Sequence, residues 1–400
     1  MYKLLREKSA YYENDAIMFT QKLVQTPSES LNESDVADLV EKKMRELDYE
    51  KVIRDDFGNV IGTLIGSEPE PTLLLISHMD TIPPIKADII PGSIDKRRIH
   101  GRGASDCKSG LAVQVYTGIV LKNNPLPLKG NLVVAATVAE ENGCSIGVKR
   151  LIEKTLPMLG IKPSYAVLGD PTNLGLYYGH DGWIELEIKL EGNNPVQVKE
   201  SAKAIFKELK KSNSGSLQVQ DLEILIVKNP CFFNRGEVFD ANIVVDCCLQ
   251  PAEEVPEIIK QIRSDVTLIA KSLGITSISV DVNYKTQKLY NKNTTLVQKV
   301  THAWSIDPFN PLIERARYAL STIGCRVHPR KWKLKRLCMG TAGSVLTREF
   351  NIPTIGYGPG TEEKAHTDNE YVDIDNIKEA LYGTVAIAHS LIGVPVFDIY

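Results

Sequence analysis

The sequence predicts an α/β fold on a mostly parallel sheet, with a smaller α+β domain inserted into it. Three observations predict this. The apolar runs LLLIS (73–77), LVVAATVA (132–139) and YAVL (165–168) are continuous rather than alternating, which is the pattern of strands buried on both faces. Helix-period segments separate these runs, as parallel strand connections require. Between Tyr177 and about Trp304 the pattern changes to alternating WIELEIKLEG (183–192), helical VKESAKAIFKELKK (198–211), strand-like LEILIVK (222–228) and ANIVVDCCLQ (241–250), helical VPEIIKQIRSDVTLIAKSL (255–273) and strand-like ISVDVNY (278–284). Two helices on a mostly antiparallel sheet form an α+β module.

Residues 9–25 and 34–48 read as helices. The second opens at Asn32 or Ser34 and carries Val36, Leu39, Val40 and Met44 on one face. KVIRDD (51–56) and NVIGTLIG (59–66) read as strands around the Phe57-Gly58 turn. After LLLIS, a loop through Pro83, Pro84 and Pro91 is expected to cross the surface before HGRGASD (100–106). SGLAVQVYTGIVLKN (109–123) reads as a helix with small residues on the sheet. The α/β pattern resumes at NPLIERARYAL (310–320) and closes with IPTIGYG (352–358) and a final helix. The expected division is a discontinuous domain of residues 1–176 and 303–400, with residues 177–302 inserted as a lid. No internal repeat or low-complexity tract is present.

Four hundred residues exceed what one hydrophobic core usually organises, which agrees with two domains. The chain is 43% hydrophobic and 24% charged, with a net charge of -3. That balance gives no electrostatic case for a nucleic acid or an anionic membrane surface. MYKLLREKSAYYEND lacks the apolar core of a signal peptide and no apolar stretch is long enough for a bilayer, so a cytoplasmic protein is expected. Seven scattered cysteines favour reduced thiols over a disulfide framework. Cys107 and Cys144 read as small packing residues near the candidate site.

Five ionisable residues stand at or just beyond the apolar runs: His78, Asp106, Glu141, Asp170 and His366. Taken singly, each acid reads as a cap or loop residue and each histidine as structural. Together they matter, because groups at the carboxyl ends of separate parallel strands converge on one crevice. Two histidines and three carboxylates supply enough N and O ligands for two borderline divalent ions, with one carboxylate left to bridge. The constellation points to a metallohydrolase. His78 and Asp80 are two apart in an extended segment, so their side chains leave on one side. Asp80 is then expected to accept the second ring N–H of His78 and fix its tautomer. Glu140 and Glu141 are adjacent, so one carboxylate can bind metal while its neighbour reaches a water shared between the ions.

The motifs His78-Met79-Asp80-Thr81, Gly101 to Asp106, Glu140-Glu141, Asp170-Pro171-Thr172, and Gly358-Pro359-Gly360 with His366 resemble the M20 family of dizinc aminoacylases and exopeptidases. The resemblance runs from about residue 10 to the C-terminal helix. Within the family the ends resemble the acetyl-lysine and carrier-bound lysine hydrolases and the YgeY-like hydrolases. It implies a zinc-hydrolase catalytic domain with an inserted lid. It implies that His78 and Asp170 hold one Zn2+, Glu141 and His366 the other, and Asp106 both, with Co2+ or Mn2+ as substitutes. Glu140 would be the general base, and Asp80 is counted with it as catalytic through its expected hold on His78. The implied substrate is a small molecule: an N-acyl amino acid, or alternatively a dipeptide.

The lid departs from the family pattern. LEGNNPVQVKESAKAI (190–205) passes from strand to helix at once, and no histidine occurs between His180 and His302. The family's His-Ser pair, which reaches a neighbouring active site in dimers, is therefore missing. Any homodimer is therefore expected to lack a shared active site. His180 in GHDGW is a substitute oxyanion donor or a structural strand end. Where the family has a lid arginine, Cys247-Cys248 stand. Substrate binding then falls to Arg235, to Lys335-Arg336, or to the loop Gly340 to Ser344 with Thr341, unless KWKLKR (331–336) is only a solvated edge. The trimmed lid leaves a non-catalytic binding homologue as the reading from another class. Retention of Glu140 favours the enzyme.

Overall fold

Strands that bury both faces line up at the centre of a nine-stranded sheet. The computed structural model describes residues 1–84, 90–141, 145–212, 224–250, 253–288, 294–332 and 340–394. Thr72–His78 is buried throughout and pairs in parallel with Asn131–Thr137 on one side and Tyr165–Leu168 on the other. Thr354–Gly356 adds in parallel to Tyr165–Leu168, while Lys51–Arg54 and Val60–Leu64 close the opposite edge as an antiparallel hairpin. Leu176–His180, Trp304–Ser305 and Pro329–Trp332 complete the sheet. Each face has its own core. Leu73, Leu75, Val134 and Val167 pack under the helices Glu13–Gln25, Ser109–Lys122 and Ile374–Ile392. Leu74, Ile76, Val133 and Ala166 pack under the helical segments from Ile146 and Ser344.

Close approach needs glycine at two points that set the site. A Cβ on Gly110 would stand 1.8 Å from the Gly169 carbonyl oxygen, so only glycine lets the helix Ser109–Lys122 touch the strand end before Asp170. A Cβ on Gly360 would stand 1.9 Å from the Ser105 carbonyl oxygen. The turn carrying Asp106 therefore lies directly against the Gly358-Pro359-Gly360 segment.

Several expected elements differ in detail. The first helix is two, Tyr2–Tyr11 and Glu13–Gln25, and the next ends at Glu46. The stretch before HGRGASD includes Ser93–Asp95 and Arg98–His100, which form a small three-stranded sheet with Tyr371–Asp373. The chain leaves the large sheet after His180, beyond the expected start of the insertion at 177. From Gly182 it builds a second sheet from Ile224–Val227, Cys231–Arg235, Val238–Leu249, Gly182–Gly192, Ser277–Val282 and Val300–Thr301. Helices Pro195–Ser212 and Val255–Ser272 cover one face through Ile205, Leu209, Ile258 and Ile262. A further hairpin, Tyr284–Lys288 with Thr294–Gln298, follows; its alternation is too short to separate from the preceding strand by sequence pattern. Among the described residues no helix is long and apolar enough to cross a membrane.

Candidate metal centre

Three of the five ligand candidates sit where parallel strands end. His78 is the last residue of Thr72–His78, Asp170 follows Tyr165–Leu168, and Glu141 follows Asn131–Thr137. Asp106 and His366 do not. Asp106 lies in the turn Ala104–Lys108 and His366 in a turn with φ 59°, so both come from loops that fold back over the strand ends. All five nevertheless converge in two groups. Ligand atoms of His78, Asp106, Cys107 and Asp170 lie within 4.8 Å of one another, as do those of Asp106, Glu141 and His366. Asp106 belongs to both. Its Oδ1 is 3.1 Å from His78 Nε2 and its Oδ2 is 3.5 Å from His366 Nε2. His366 Nε2 is 2.8 Å from Glu141 Oε2.

The surrounding carboxylates hold main chain. The second nitrogen of His78, Nδ1, is 2.9 Å from the Asp80 carbonyl oxygen and 3.6 Å from the Asp80 carboxylate. The tautomer is thus fixed by main chain, and the expected carboxylate bond is replaced. The Asp80 carboxylate instead accepts from Glu140 N (3.0 Å), Glu141 N (2.9 Å) and Ser30 Oγ (2.5 Å). Two further buried acids escaped the sequence reading. Glu33 Oε1 accepts from Leu31 N (2.9 Å) and Ala139 N (3.0 Å). Glu370 Oε1 accepts from Ser105 N (2.9 Å) and Asp106 N (3.0 Å), and its Oε2 accepts from Arg102 Nη1 (2.7 Å). Ser145 Oγ stands 3.4 Å from Glu140 Oε1 as a donor.

This density of acids shifts their protonation. Burial, then the charges of Glu141, Asp170 and Asp80, raises Glu140 well above the ordinary carboxylate range, with His78 opposing. Burial likewise raises Glu141 and pushes Asp170 up to about 7. Asp106 goes the other way: burial raises it, but the hydrogen bond and charge of His78, with His366 and Arg102, hold it low. For His366 burial lowers the pKa, and Glu141 and Asp106 more than reverse that. Burial also pushes Glu33 and Glu370 up to about 7.

The residues fit divalent cations. Asp106 Oδ2 and His366 Nε2 are buried and have no aligned hydrogen-bond partner, so their lone pairs are open to a Lewis acid such as a metal ion. The donors are imidazole nitrogens and carboxylate oxygens, which suit borderline ions. A divalent cation relieves the crowding of like charges and releases protons as it binds. Cys107 Sγ lies in the first group, but it accepts from His78 N at 3.2 Å and burial raises the thiol, so it packs as a neutral residue.

The substrate candidates divide. His180 is fully buried; Nδ1 faces the Asp181 carbonyl at 2.5 Å and Nε2 accepts from Thr341 N at 2.9 Å. Burial lowers it to about 4. It is therefore a neutral strut beneath the Gly340–Ser344 loop, which corrects its expected role at the substrate. Thr341 is buried and its Oγ1 accepts from Gly343 N, whereas Ser344 borders open space. Arg235 stands at a hairpin turn of the inserted sheet and pairs with Asp240 at 2.7 Å. Lys335-Arg336 and Cys144 lie outside the described residues. A cleft of about 650 Å³ is bordered by Lys149, Lys154, Tyr284, Leu296, Ser344 and Ser145, the residue whose hydroxyl faces Glu140.

The profile of Peptidase family M20/M25/M40 matches residues 74–390. The chain belongs to the M20 family. It is 28% identical over 397 residues to YgeY of Escherichia coli K12, covering 92% of each chain. It is 26% identical over 316 residues to a LysW-lysine/LysW-ornithine hydrolase of Sulfurisphaera tokodaii, covering 77% of this chain and 78% of that one. Its fold matches the Bacillus subtilis YXEP protein, described as a dinuclear metal binding peptidase, with a TM-score of 0.69 at 15% identity, over 95% of this chain and 98% of that one. This M20 protein is a metal-dependent hydrolase of amide bonds.

Proposed function

We propose that the chain hydrolyses the amide of a small N-acyl amino acid, as a deacetylase or desuccinylase, at a centre of two zinc ions. The observation that carries this is the pair of ligand groups that share Asp106, with Glu140 beside them. His78, Asp170 and Asp106 would hold one ion, and Glu141, His366 and Asp106 the other. Such ions, when bound, acidify a water for attack and polarise the amide carbonyl. Glu140 takes the proton of the attacking water at its carboxylate and hands it to the departing amine. Its raised pKa suits both halves of that transfer. Asp80 fixes the direction of Glu140 and Glu141 through their main-chain N–H groups. Residues 177–302 act as the lid over this centre, and the cleft beside Ser145 admits the substrate. The Sulfurisphaera relative, named a LysW-lysine/LysW-ornithine hydrolase, supports a substrate that contains an amino acid.

The test is zinc reconstitution of the chain and its Glu140→Gln and Glu141→Gln variants, with a panel of N-acetyl and N-succinyl amino acids and dipeptides. Glu140→Gln is expected to keep two zinc ions per chain and lose about two to four orders of magnitude in rate. Glu141→Gln is expected to weaken one metal site. Exchanged phenotypes would reverse the assignment within the pair. Turnover of dipeptides alone would make the enzyme an exopeptidase, and zinc without turnover of any panel member would make it a binding homologue.

A further inference from the structure

We propose that Glu33 is a positioning residue for the Glu140 base, acting through the main chain of Ala139. The inference rests on the reading of Glu140 as base given above. Glu33 stands where the helix Ser34–Glu46 begins, yet its side chain caps none of the helix N–H groups. It is 1% exposed, and its Oε2 is buried without a hydrogen-bond partner. A carboxyl group is costly to bury unless it satisfies something else. What Glu33 satisfies is distant in sequence: Oε1 accepts the N–H of Ala139, 106 residues away, together with that of Leu31.

Both donors sit in the left-handed region, Leu31 at φ 77° and Ala139 at φ 56°. Neither residue has a polar side chain to stabilise that conformation locally. A single buried oxygen shared by the two N–H groups does so from outside. Ala139 is the turning point of the base. The strand Asn131–Thr137 alternates its side chains, and continued alternation would aim Glu140 and Glu141 to opposite faces. A left-handed residue immediately before Glu140 breaks the alternation. The next two N–H groups then meet the two oxygens of Asp80. Three consecutive N–H groups, 139 to 141, are thus held by two carboxylates. Asp80 holds the later two, and Glu33 holds the first, where the turn is made.

Hydrolysis kinetics and peptide-resolved amide exchange on the zinc-loaded full chain test this, using Glu33→Ala, Glu33→Gln and Glu33→Asp. Glutamine keeps a carbonyl oxygen at the same reach, alanine removes it, and aspartate keeps the charge but falls short of Ala139. For Glu33→Ala and Glu33→Asp, exchange over 138–141 is expected to rise about tenfold, with the strand 131–137 unchanged. In the same two variants kcat is expected to fall about 10- to 100-fold with KM and zinc content unaltered. Glu33→Gln is expected to restore both readouts. Exchange at 138–141 that stays as in the wild type would overturn the proposal. So would exchange that rises evenly through the strand and the helix 34–46, or a Gln variant no better than Asp. If the wild-type chain turns over no panel substrate, the hydrolase reading fails, and the exchange arm alone decides whether Glu33 sets the Ala139 turn.

Discussion

The floor of the metal centre and the inserted sheet both bury acids, but they satisfy them differently. In the floor, Asp80, Glu33 and Glu370 accept from main-chain N–H groups at 2.9–3.0 Å. In the inserted sheet, Glu185 is equally buried but accepts from the side chains of Lys228 (2.6 Å), Lys299 (2.5 Å) and Asn283 (2.6 Å). A lysine ammonium rides on a flexible four-carbon stem and follows a displaced partner. A main-chain N–H cannot, because moving it moves the residue. The first arrangement therefore transmits the position of a carboxylate directly to Asp106, Glu140 and Glu141. The second stabilises a module that contributes none of the five ligand candidates. Catalytic geometry is sensitive to displacements of an ångström, so the division follows the chemistry.

Removing a floor carboxylate is the harshest way to break this contrast. Glu370→Ala leaves Arg102, whose side chain is only 11% exposed, beside an empty site, and frees the N–H groups of Ser105 and Asp106. Loss of one partner from a buried pair costs about 3–5 kcal/mol, and that loss is expected in denaturant unfolding. Zinc affinity is expected to fall with it, because Asp106 serves both ligand groups. A stability loss below about 1 kcal/mol with full zinc binding would show that Glu370 is not part of the support.

The difference between the two kinds of acid also explains what was legible beforehand. His78, Glu141 and Asp170 could be read because a continuous apolar run advertises a buried parallel strand, and its end is then a place in space. Asp106 and His366 were read the same way, but the structure puts them in turns that fold back over the strand ends, and such turns have no periodic signal. Glu33 and Glu370 were invisible for a stronger reason. Their partners are N–H groups, which every residue but proline owns, so no residue type in the sequence marks the contact. The same blindness put the Asp80 carboxylate on the ring of His78, when it is spent on Glu140 and Glu141. His180 could be read either as a substitute oxyanion donor or as a structural strand end, because its acceptor role toward Thr341 N is again a main-chain matter. The left-handed Ala139 could not be anticipated either, as alanine is a residue that rarely adopts that conformation.

His180 gives an intermediate effect on the comparison. It lies between the two sheets but is satisfied in the manner of the floor, by the Asp181 carbonyl and the Thr341 N–H. His180→Ala leaves that N–H buried without an acceptor, at a cost of about 1–3 kcal/mol. The Gly340–Ser344 loop is expected to shift, so KM rises more than kcat falls. Because His180 acts within its own chain, mixing Glu140→Gln and His180→Ala chains is expected to restore no activity beyond the sum of the two. Restoration would mean that His180 reaches a second active site. With a pKa near 4, His180 also contributes no inflection to the rate profile above pH 5.

The smallest effect is expected in the inserted sheet, where pH separates two facing acids. Asp246 stands opposite Glu185 in the pairing of Val238–Leu249 with Gly182–Gly192. Burial raises Glu185, but the hydrogen bonds of Lys228 and Lys299 outweigh it and hold the group at about 2. Its stabilising contribution is therefore present above its ordinary 4.5 and is lost as pH falls from there toward 2. Burial, with the charge of Glu185, instead pushes Asp246 from its ordinary 3.8 up to about 6. That contribution has the opposite sign: it is complete below 3.8 and is lost as pH rises through 6. The two contributions together are therefore largest between about 3.8 and 4.5 and decline from there to pH 6, where the unfolded chain gains by ionising Asp246 and the folded one does not. Asp246→Asn keeps a donor toward Glu185 at every pH. Its unfolding temperature is expected to match the wild type near pH 3.8 and to exceed it by a few degrees at pH 8. Equal unfolding temperatures for the two chains from pH 5 to pH 8 would show that Asp246 is ionised without penalty, and that the lysines serve both acids alike.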